Sequence, residues 1–456
     1  MVQGIGRNPP RIAEMSVVTP LRGIAISRRP SETFVIVGAG QAGVQAASTL
    51  RERGFRGRVV VIGDEGHLPY MRPPLSKKFL SSEQARERLF VRPSAYFESQ
   101  AIEMRTGVRV EGIDRPAQQL RLAGGEVLGY DKLLLATGCR PRVLAVPGGS
   151  GPGIHYLRTV DDAAQLRNAF RAGARLAVVG AGYLGLEVAA TAVAAGMQVT
   201  VLEIDDRVLS RVTSPRLSEF MAAAHRSRGV DIRCATRVTA FTGEARLESV
   251  SCGRDAVSAD LAVVGIGAVP NEALARDAGL DCDDGILVDE RGRTSDPHVY
   301  AAGDCTRHSN ALFGRRIRLE SVQNAIDQAT VAAVSMGGGE LTYKRVPWFW
   351  SNQYEYKLQS AGLFGGFDEI VERGDPAEGR FALLYRRAGQ LIAVDAVNMP
   401  AAYLSARRAI ALGGEIAIDT AMIPRPATVR TSAPMIGESR TSTIERPDRT
   451  PRSIAG

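Results

Sequence analysis

Cysteine is scarce in this chain: five among 456 residues, at Cys139, Cys234, Cys252, Cys282 and Cys305. No two of them form a C-x-x-C, so a disulfide framework, a zinc ribbon and a dithiol redox centre all lack their ligands. The five histidines (His67, His155, His225, His298, His308) show no ligand spacing either, and no metal is expected. No stretch of about 18 uncharged apolar residues occurs, so no membrane span is expected. Few, scattered thiols fit a reducing compartment, and the expected location is cytoplasmic.

The formal charge of +8 would suggest nucleic acid or an anionic membrane. Its distribution argues otherwise. Residues 1–30 hold five Arg against Glu14, and residues 425–456 hold six Arg against three acids. With +4 and +3 at the two ends, only +1 is left for the 394 residues between them. No nucleic-acid partner is expected. The span 1–30, with four prolines and no apolar periodicity, reads as a disordered basic extension, and 425–456 as a disordered tail.

What the chain has in abundance is glycine, 48 residues, and two of its clusters are alike. The first is Gly38-Ala39-Gly40-Gln41-Ala42-Gly43, after the apolar run 34–37. The second is Gly180-Ala181-Gly182-Tyr183-Leu184-Gly185, after 176–179. Each is followed by a helical pattern, 41–53 and 183–195, then a glycine stop at Gly54 or Gly196 and a second strand at 58–62 or 198–202. This β-α-β grammar gives each glycine a separate task. The first allows the tight turn, the second lets the backbone approach a pyrophosphate, and the third packs helix on strand. The helix start supplies free N–H groups and partial positive charge.

Both units also carry an acid after the second strand, the position that holds a ribose diol. In the second unit this is Glu203, with Asp205 and Asp206 adding like charge, so NADH should be preferred to NADPH; Arg207 dissents. In the first unit the acid is displaced, and Asp64 is favoured over Glu65. A third signature, Val299-Tyr300-Ala301-Ala302-Gly303-Asp304, is of the flavin type. Two loops and a distal Gly-Asp together suggest FAD and a nicotinamide in one chain. Further on, a helix is expected at 319–336, strands at 381–386 and 390–397 around Gly389, and a helix at 400–412.

The segment Tyr70-Met71-Arg72-Pro73-Pro74-Leu75-Ser76-Lys77 resembles that of the oxygenase-coupled NADH-ferredoxin reductases, the family of putidaredoxin and rubredoxin reductases, to which apoptosis-inducing factor is related. Similar too are Leu134-Leu135-Ala136-Thr137-Gly138, Tyr156-Leu157-Arg158-Thr159, Glu320-Ser321-Val322-Gln323-Asn324-Ala325 and Pro347-Trp348-Phe349-Trp350-Ser351. The likeness runs through residues 33–420 in order.

The resemblance implies two Rossmann-like domains of the glutathione-reductase type plus a C-terminal α+β domain. FAD would occupy a discontinuous domain, 31–141 and 269–345, NAD the domain 142–268, and residues 346–424 would cover the flavin. FAD contacts would be Gly38, Gly40, Ala42, Gly43, Asp64, Arg72, Lys77, Val110, Ala136, Thr137, Arg158, Asp304 and Val322. Those of NAD would be Gly180, Gly182, Tyr183, Gly185, Glu187, Glu203 and Gly267. Lys77, Glu187 and Trp350 would act on the chemistry: Lys77 at the flavin edge, Glu187 paired with it, Trp350 flanking the ring. Tyr183 would cover the flavin until nicotinamide displaces it.

The implied reaction is hydride transfer from NADH to FAD, then single-electron transfer to a [2Fe-2S] ferredoxin or rubredoxin serving a cytochrome P450 or ring-hydroxylating oxygenase. Alternative acceptors are a quinone, monodehydroascorbate or oxygen; a redox-responsive interaction protein is the alternative from another class. No cysteine precedes Cys139, so thiol chemistry lacks its nucleophile in the expected place, and Cys139 and Cys305 read as packing residues.

Overall fold

The runs Thr33–Val37 and Arg175–Val179 each become the central strand of a five-stranded parallel sheet. The computed structural model describes residue 26, residues 29–310 and residues 312–413. In the first sheet the order is Val299–Ala301, Lys132–Leu135, Thr33–Val37, Arg58–Gly63, Ile102–Thr106. In the second it is Ile154–His155, Leu261–Val264, Arg175–Val179, Gln198–Leu202, Asp231–Arg233. Four strands correspond one to one, and each sheet adds a fifth at the same edge. Both central strands are covered on both faces, which is why they read as unbroken apolar runs rather than as alternation.

Helix α1 (Gln41–Glu52) leaves the first glycine loop and α2 (Tyr183–Ala194) the second. Gly54 and Gly196, at φ of 86° and 78°, turn the chain after them. Helix α3 (Pro215–Arg226) follows in the second unit. Helix α4 (Val322–Met336) begins three residues later than the sequence suggests. Ser321 is extended and its hydroxyl accepts the Asn324 N–H at 3.1 Å, so 319–321 stay outside as the approach to this cap.

The third sheet is antiparallel, in the order Trp348–Gln353, Tyr356–Gly362, Gln390–Val397, Arg380–Arg387, Glu369–Asp375, with helix α5 (Pro400–Ala411) packed on it. Only two of its five strands are evident from the sequence. Glu369–Asp375 is an edge strand, half-buried and charged, without the alternation that marks a covered one.

A single apolar core joins the three units: Leu75 and Phe79 from the first, Leu186, Val201 and Leu217 from the second, Leu358, Phe381 and Tyr385 from the third. Beside it Asp395 is buried, accepting from Tyr385 at 2.6 Å, Ser360 at 2.5 Å and Thr213. Burial pushes its carboxyl pKa up while the three hydroxyls hold it down. The strands Cys139–Pro141 and Ala268–Pro270 pair where the chain leaves the first unit and returns. The expected extension 1–30 and tail 425–456 lie outside the described residues, except at 26, 29 and 30. Ile26 is not free: it is buried in the core of the first unit, where a Cβ at Gly337 would come within 2.5 Å of its own.

Candidate active site

Each glycine loop is as tight as its spacing implies. Gly38 (φ 116°) and Gly180 (φ 98°) take conformations that L side chains avoid. An added Cβ would stand 2.1 Å from the Ala136 carbonyl in the first case and 2.5 Å from that of Gly265 in the second. At Gly43 and Gly185 it would meet the carbonyl of the loop's own first glycine at 2.0 Å. The middle glycines differ: Gly40 and Gly182 have no atom within 4 Å of that position. Each is the N-cap of its helix without a side-chain cap. Open room against uncapped N–H groups is what a pyrophosphate requires, so the residues present fit two dinucleotides.

The third signature closes on the first loop. Gly303 (φ 88°) would place a Cβ 3.2 Å from that of Ala42, and its N–H donates to Gln328. Asp304 then meets Arg158 Nη2 at 3.1 Å and Cys139 Sγ at 3.3 Å. Arg158 and Asp304, both expected to contact FAD, are thus a pair. Arg72 bridges Glu65 at 2.6 Å and the Arg158 carbonyl at 2.8 Å. Ala136 is buried, and Thr137 spends its hydroxyl on the Asn271 carbonyl at 2.7 Å, tying that turn to the returning strand. Val110 and Val322 are half-buried at the starts of strand Val110–Asp114 and helix α4. Gly267 (φ 109°) faces Arg211, 3.4 Å from the place of a Cβ.

Lys77 and Glu187 come together between the units, Nζ to Oε2 at 2.5 Å, with side chains 18% and 6% exposed. Ser76 donates to the same carboxylate at 2.6 Å and Ser351, from the third sheet, at 2.6 Å. An ion pair this buried and this fully bonded has one geometry. Tyr183, at the first turn of α2, stacks on Phe349 at 4.5 Å between centroids, and Phe349 lies 6.2 Å from Trp350. These three rings carry the aromatic cluster of the third unit to the start of α2. Burial pushes the Tyr183 hydroxyl pKa up, so it remains a neutral donor.

The two ribose acids are placed differently. Glu203 is buried and accepts from the Ala181 N–H at 2.5 Å and the Asp205 N–H at 3.0 Å, which fixes it against the second loop. Arg207, the dissenting cation, is occupied by Ser218 at 2.6 Å and the Ser210 carbonyl at 2.7 Å. Asp64 is exposed. The corresponding position to Glu203 is Gly63, where a Cβ would fall 2.6 Å from that of Ala39, so the acid sits one residue later.

Cys139 is buried, and burial with the nearby Asp304 pushes its thiol pKa up; Cys305 is buried and likewise raised by burial. Neither is an activated nucleophile. Among the described residues no cluster of His, Cys, Asp and Glu could hold a metal, and no helix is long and apolar enough to cross a membrane. The sequence gives no site role to Ser76, Gln353 or His225. Ser76 meets Glu187 across 111 positions and His225 meets Gln353 across 128, too far for any spacing to signal them.

Residues 32–329 match the model of the pyridine nucleotide-disulphide oxidoreductase family, and 348–428 that of the reductase C-terminal domain. The chain is 44% identical over 382 residues to rhodocoxin reductase of Rhodococcus erythropolis, covering 83% of this chain and 89% of that protein. It is 42% identical to putidaredoxin reductase of Pseudomonas putida over 387 residues, covering 83% and 92%. Among solved structures, the covalent putidaredoxin reductase–putidaredoxin complex matches with a TM-score of 0.83 at 40% identity, covering 86% of this chain and 98% of that one.

Proposed function

This chain belongs to the pyridine nucleotide-disulphide oxidoreductase family, and from that premise we propose that it is an NADH-dependent flavoprotein reductase serving a [2Fe-2S] ferredoxin or a rubredoxin, which in turn supplies a cytochrome P450 or ring-hydroxylating oxygenase. The observation that carries this reading is the buried Lys77–Glu187 pair, set where the two glycine-loop units and the third sheet meet. FAD, once bound, supplies the step from hydride acceptor to single-electron donor.

The protein's own residues do the rest. The room at Gly40 and Gly182 admits the two pyrophosphates, and the helix starts hold them. Lys77 holds positive charge at the reacting edge, and Glu187 fixes where that ammonium points. Tyr183, Phe349 and Trp350 exclude water from that edge and orient the rings that stack there. Glu203 accepts from the ribose diol of NADH and repels a 2′-phosphate, and Arg207 is already engaged elsewhere. Residues 31–141 and 269–345 form the FAD domain in this reading, 142–268 the NAD domain, and 346–424 the cover. The five free cysteines and the raised thiols of Cys139 and Cys305 support electron transfer in the cytoplasm over disulphide chemistry.

The test is an anaerobic titration of the purified protein with NADH, and separately NADPH, following the visible flavin band. The expected result is bleaching by NADH at low equivalents, sluggish response to NADPH, and rapid return of colour on adding oxidised [2Fe-2S] ferredoxin. Absence of FAD uptake would overturn the reading.

A further inference from the structure

Glu187 is held from a side that none of the motifs describes. Its Oε2 takes Lys77 and Ser76. Its Oε1 takes Ser351 Oγ at 2.6 Å, and Ser351 Oγ in turn meets Gln353 Nε2 at 3.0 Å. Gln353 Oε1 meets His225 Nε2 at 2.8 Å, and His225 Nδ1 meets the Tyr354 hydroxyl at 3.0 Å. Ser351, Gln353 and His225 are each no more than 1% exposed. The series joins α2, the strand Trp348–Gln353 and α3, three elements from two units.

Every proton in it has one possible place. As the carboxylate of an ion pair, Glu187 only accepts, so Ser351 donates to it. The Ser351 oxygen then accepts, which requires the amide nitrogen of Gln353 to face it. That turns the Gln353 oxygen to His225, which donates from Nε2 and accepts from Tyr354 at Nδ1. His225 is therefore the neutral imidazole with its proton on Nε2, in keeping with the downward push that burial gives its pKa. All four donors point toward the carboxylate, and hydrogen bonds aligned in one direction polarise and strengthen one another.

We propose that Tyr354, His225, Gln353 and Ser351 form a one-way donor relay, and that His225 is thereby a positioning residue for Glu187 and, through it, for the Lys77 ammonium in the hydride-transfer step. The inference rests on the reading under Proposed function. Its core is the amide of Gln353. With His225 donating to its oxygen the amide has one orientation. Without that donor it rotates, its oxygen captures the Ser351 hydroxyl, and Glu187 Oε1 loses its partner. His225 is fully buried and bonds Gln353 and Tyr354 rather than Lys77, so its effect is conveyed through hydrogen-bond direction. A histidine that merely glued α3 to the third sheet would affect stability and leave the rate alone.

The experiment is anaerobic stopped-flow reduction of the FAD-loaded protein by NADH, comparing wild type with His225→Leu, His225→Gln and Tyr354→Phe. His225→Leu is expected to lower the limiting rate of flavin reduction on the order of tenfold, with the half-saturating NADH concentration moved by less than about twofold. His225→Gln, whose amide still donates to Gln353, should restore the rate to within about threefold of wild type, and Tyr354→Phe should cost about twofold. Should His225→Leu fail to hold FAD, His225→Asn takes its place with the same expected loss, since its shorter amide meets Tyr354 but not Gln353. A leucine (or asparagine) variant as fast as wild type, or a glutamine variant as slow as it, overturns the relay. A wild type that NADH does not reduce overturns the electron-transfer reading instead, so the two failures are distinguishable.

Discussion

The two glycine-loop units share strand order, register and loop geometry, yet they use corresponding positions differently. Helix α1 carries Gln45 where α2 carries Glu187. Gln45 donates to Thr49 one turn along its own helix, at 3.2 Å. Glu187 reaches Ser76 and Lys77 of the first unit and Ser351 of the third sheet. At the end of the second strand the first unit has Gly63 and the second Glu203, buried and bonded into its loop. The comparison teaches that one frame can be kept while one helix position and one strand-end position change what surrounds it. The first unit is a cradle. The second is a cradle with a charge aimed out of it.

The frame breaks most easily at its first glycines. Gly38→Ala should cost on the order of 3 kcal/mol or more, since φ is 116° and the new Cβ stands 2.1 Å from a carbonyl; melting and FAD content check it. Gly40→Ala, with open space at its Cβ, should leave the apo-protein's Tm unchanged and weaken FAD binding by about tenfold or more, measured by equilibrium dialysis.

The helix position comes next. Glu187→Gln removes one partner of a buried pair and should cost about 3 kcal/mol, read by denaturant titration. Gln45→Ala should cost less than about 0.5 kcal/mol in the same assay, because its bond is local. Equal losses at the two sites would show that Glu187 is ordinary helix packing.

The strand ends allow a finer test. Glu203→Ser with Asp205→Arg should shift the ratio of kcat/KM for NADH over NADPH by about tenfold or more towards NADPH. An unmoved ratio would mean that the ribose is held elsewhere.

The smallest effect lies where the first residue of each central strand is tied down. Asp131 accepts from the Thr33 N–H at 2.7 Å, and Asp260 accepts from the Arg175 N–H at 2.9 Å and from its guanidinium as well. Hydrogen bonding from Arg175 holds the Asp260 pKa down to about 2. A depressed carboxylate contributes stability above its unfolded value, near 3.9, that is lost as pH falls towards 2. Because Asp260 is exposed, screening reduces this to about 0.5 kcal/mol. Asp260→Asn should therefore flatten the acid limb of the stability curve slightly between about pH 4 and pH 2.

Much of this was legible in the chain, and the physical reasons are specific. A buried parallel strand must be apolar throughout, and a helix that follows it within a few residues needs glycine at fixed offsets. Thr33–Val37, Arg175–Val179 and both loops therefore announce themselves. The charged edge strand Glu369–Asp375 did not, because at the sheet edge it is nowhere fully buried and its charged residues break any apolar run. The roles of Lys77 and Glu187 were visible only through the family resemblance, Lys77 within one of its segments and Glu187 just after the second glycine loop. Ser76 was passed over although it sits beside Lys77, because a serine carries no spacing rule. Ile26 was read as part of a structureless span, since a single buried residue makes no period.

The sequence by itself determined the two glycine-loop frames and the acid, Glu203, at the end of the second strand of the second unit. Each of these depends on residues within about 25 positions of one another, where backbone geometry alone sets what can meet. The tertiary structure alone decided that Glu187 is buried, which cation it pairs with, and that a histidine 128 residues before its glutamine partner in the chain completes its support. Those contacts arise from the packing of the three units on one shared apolar core, and no local pattern encodes the angle at which they meet.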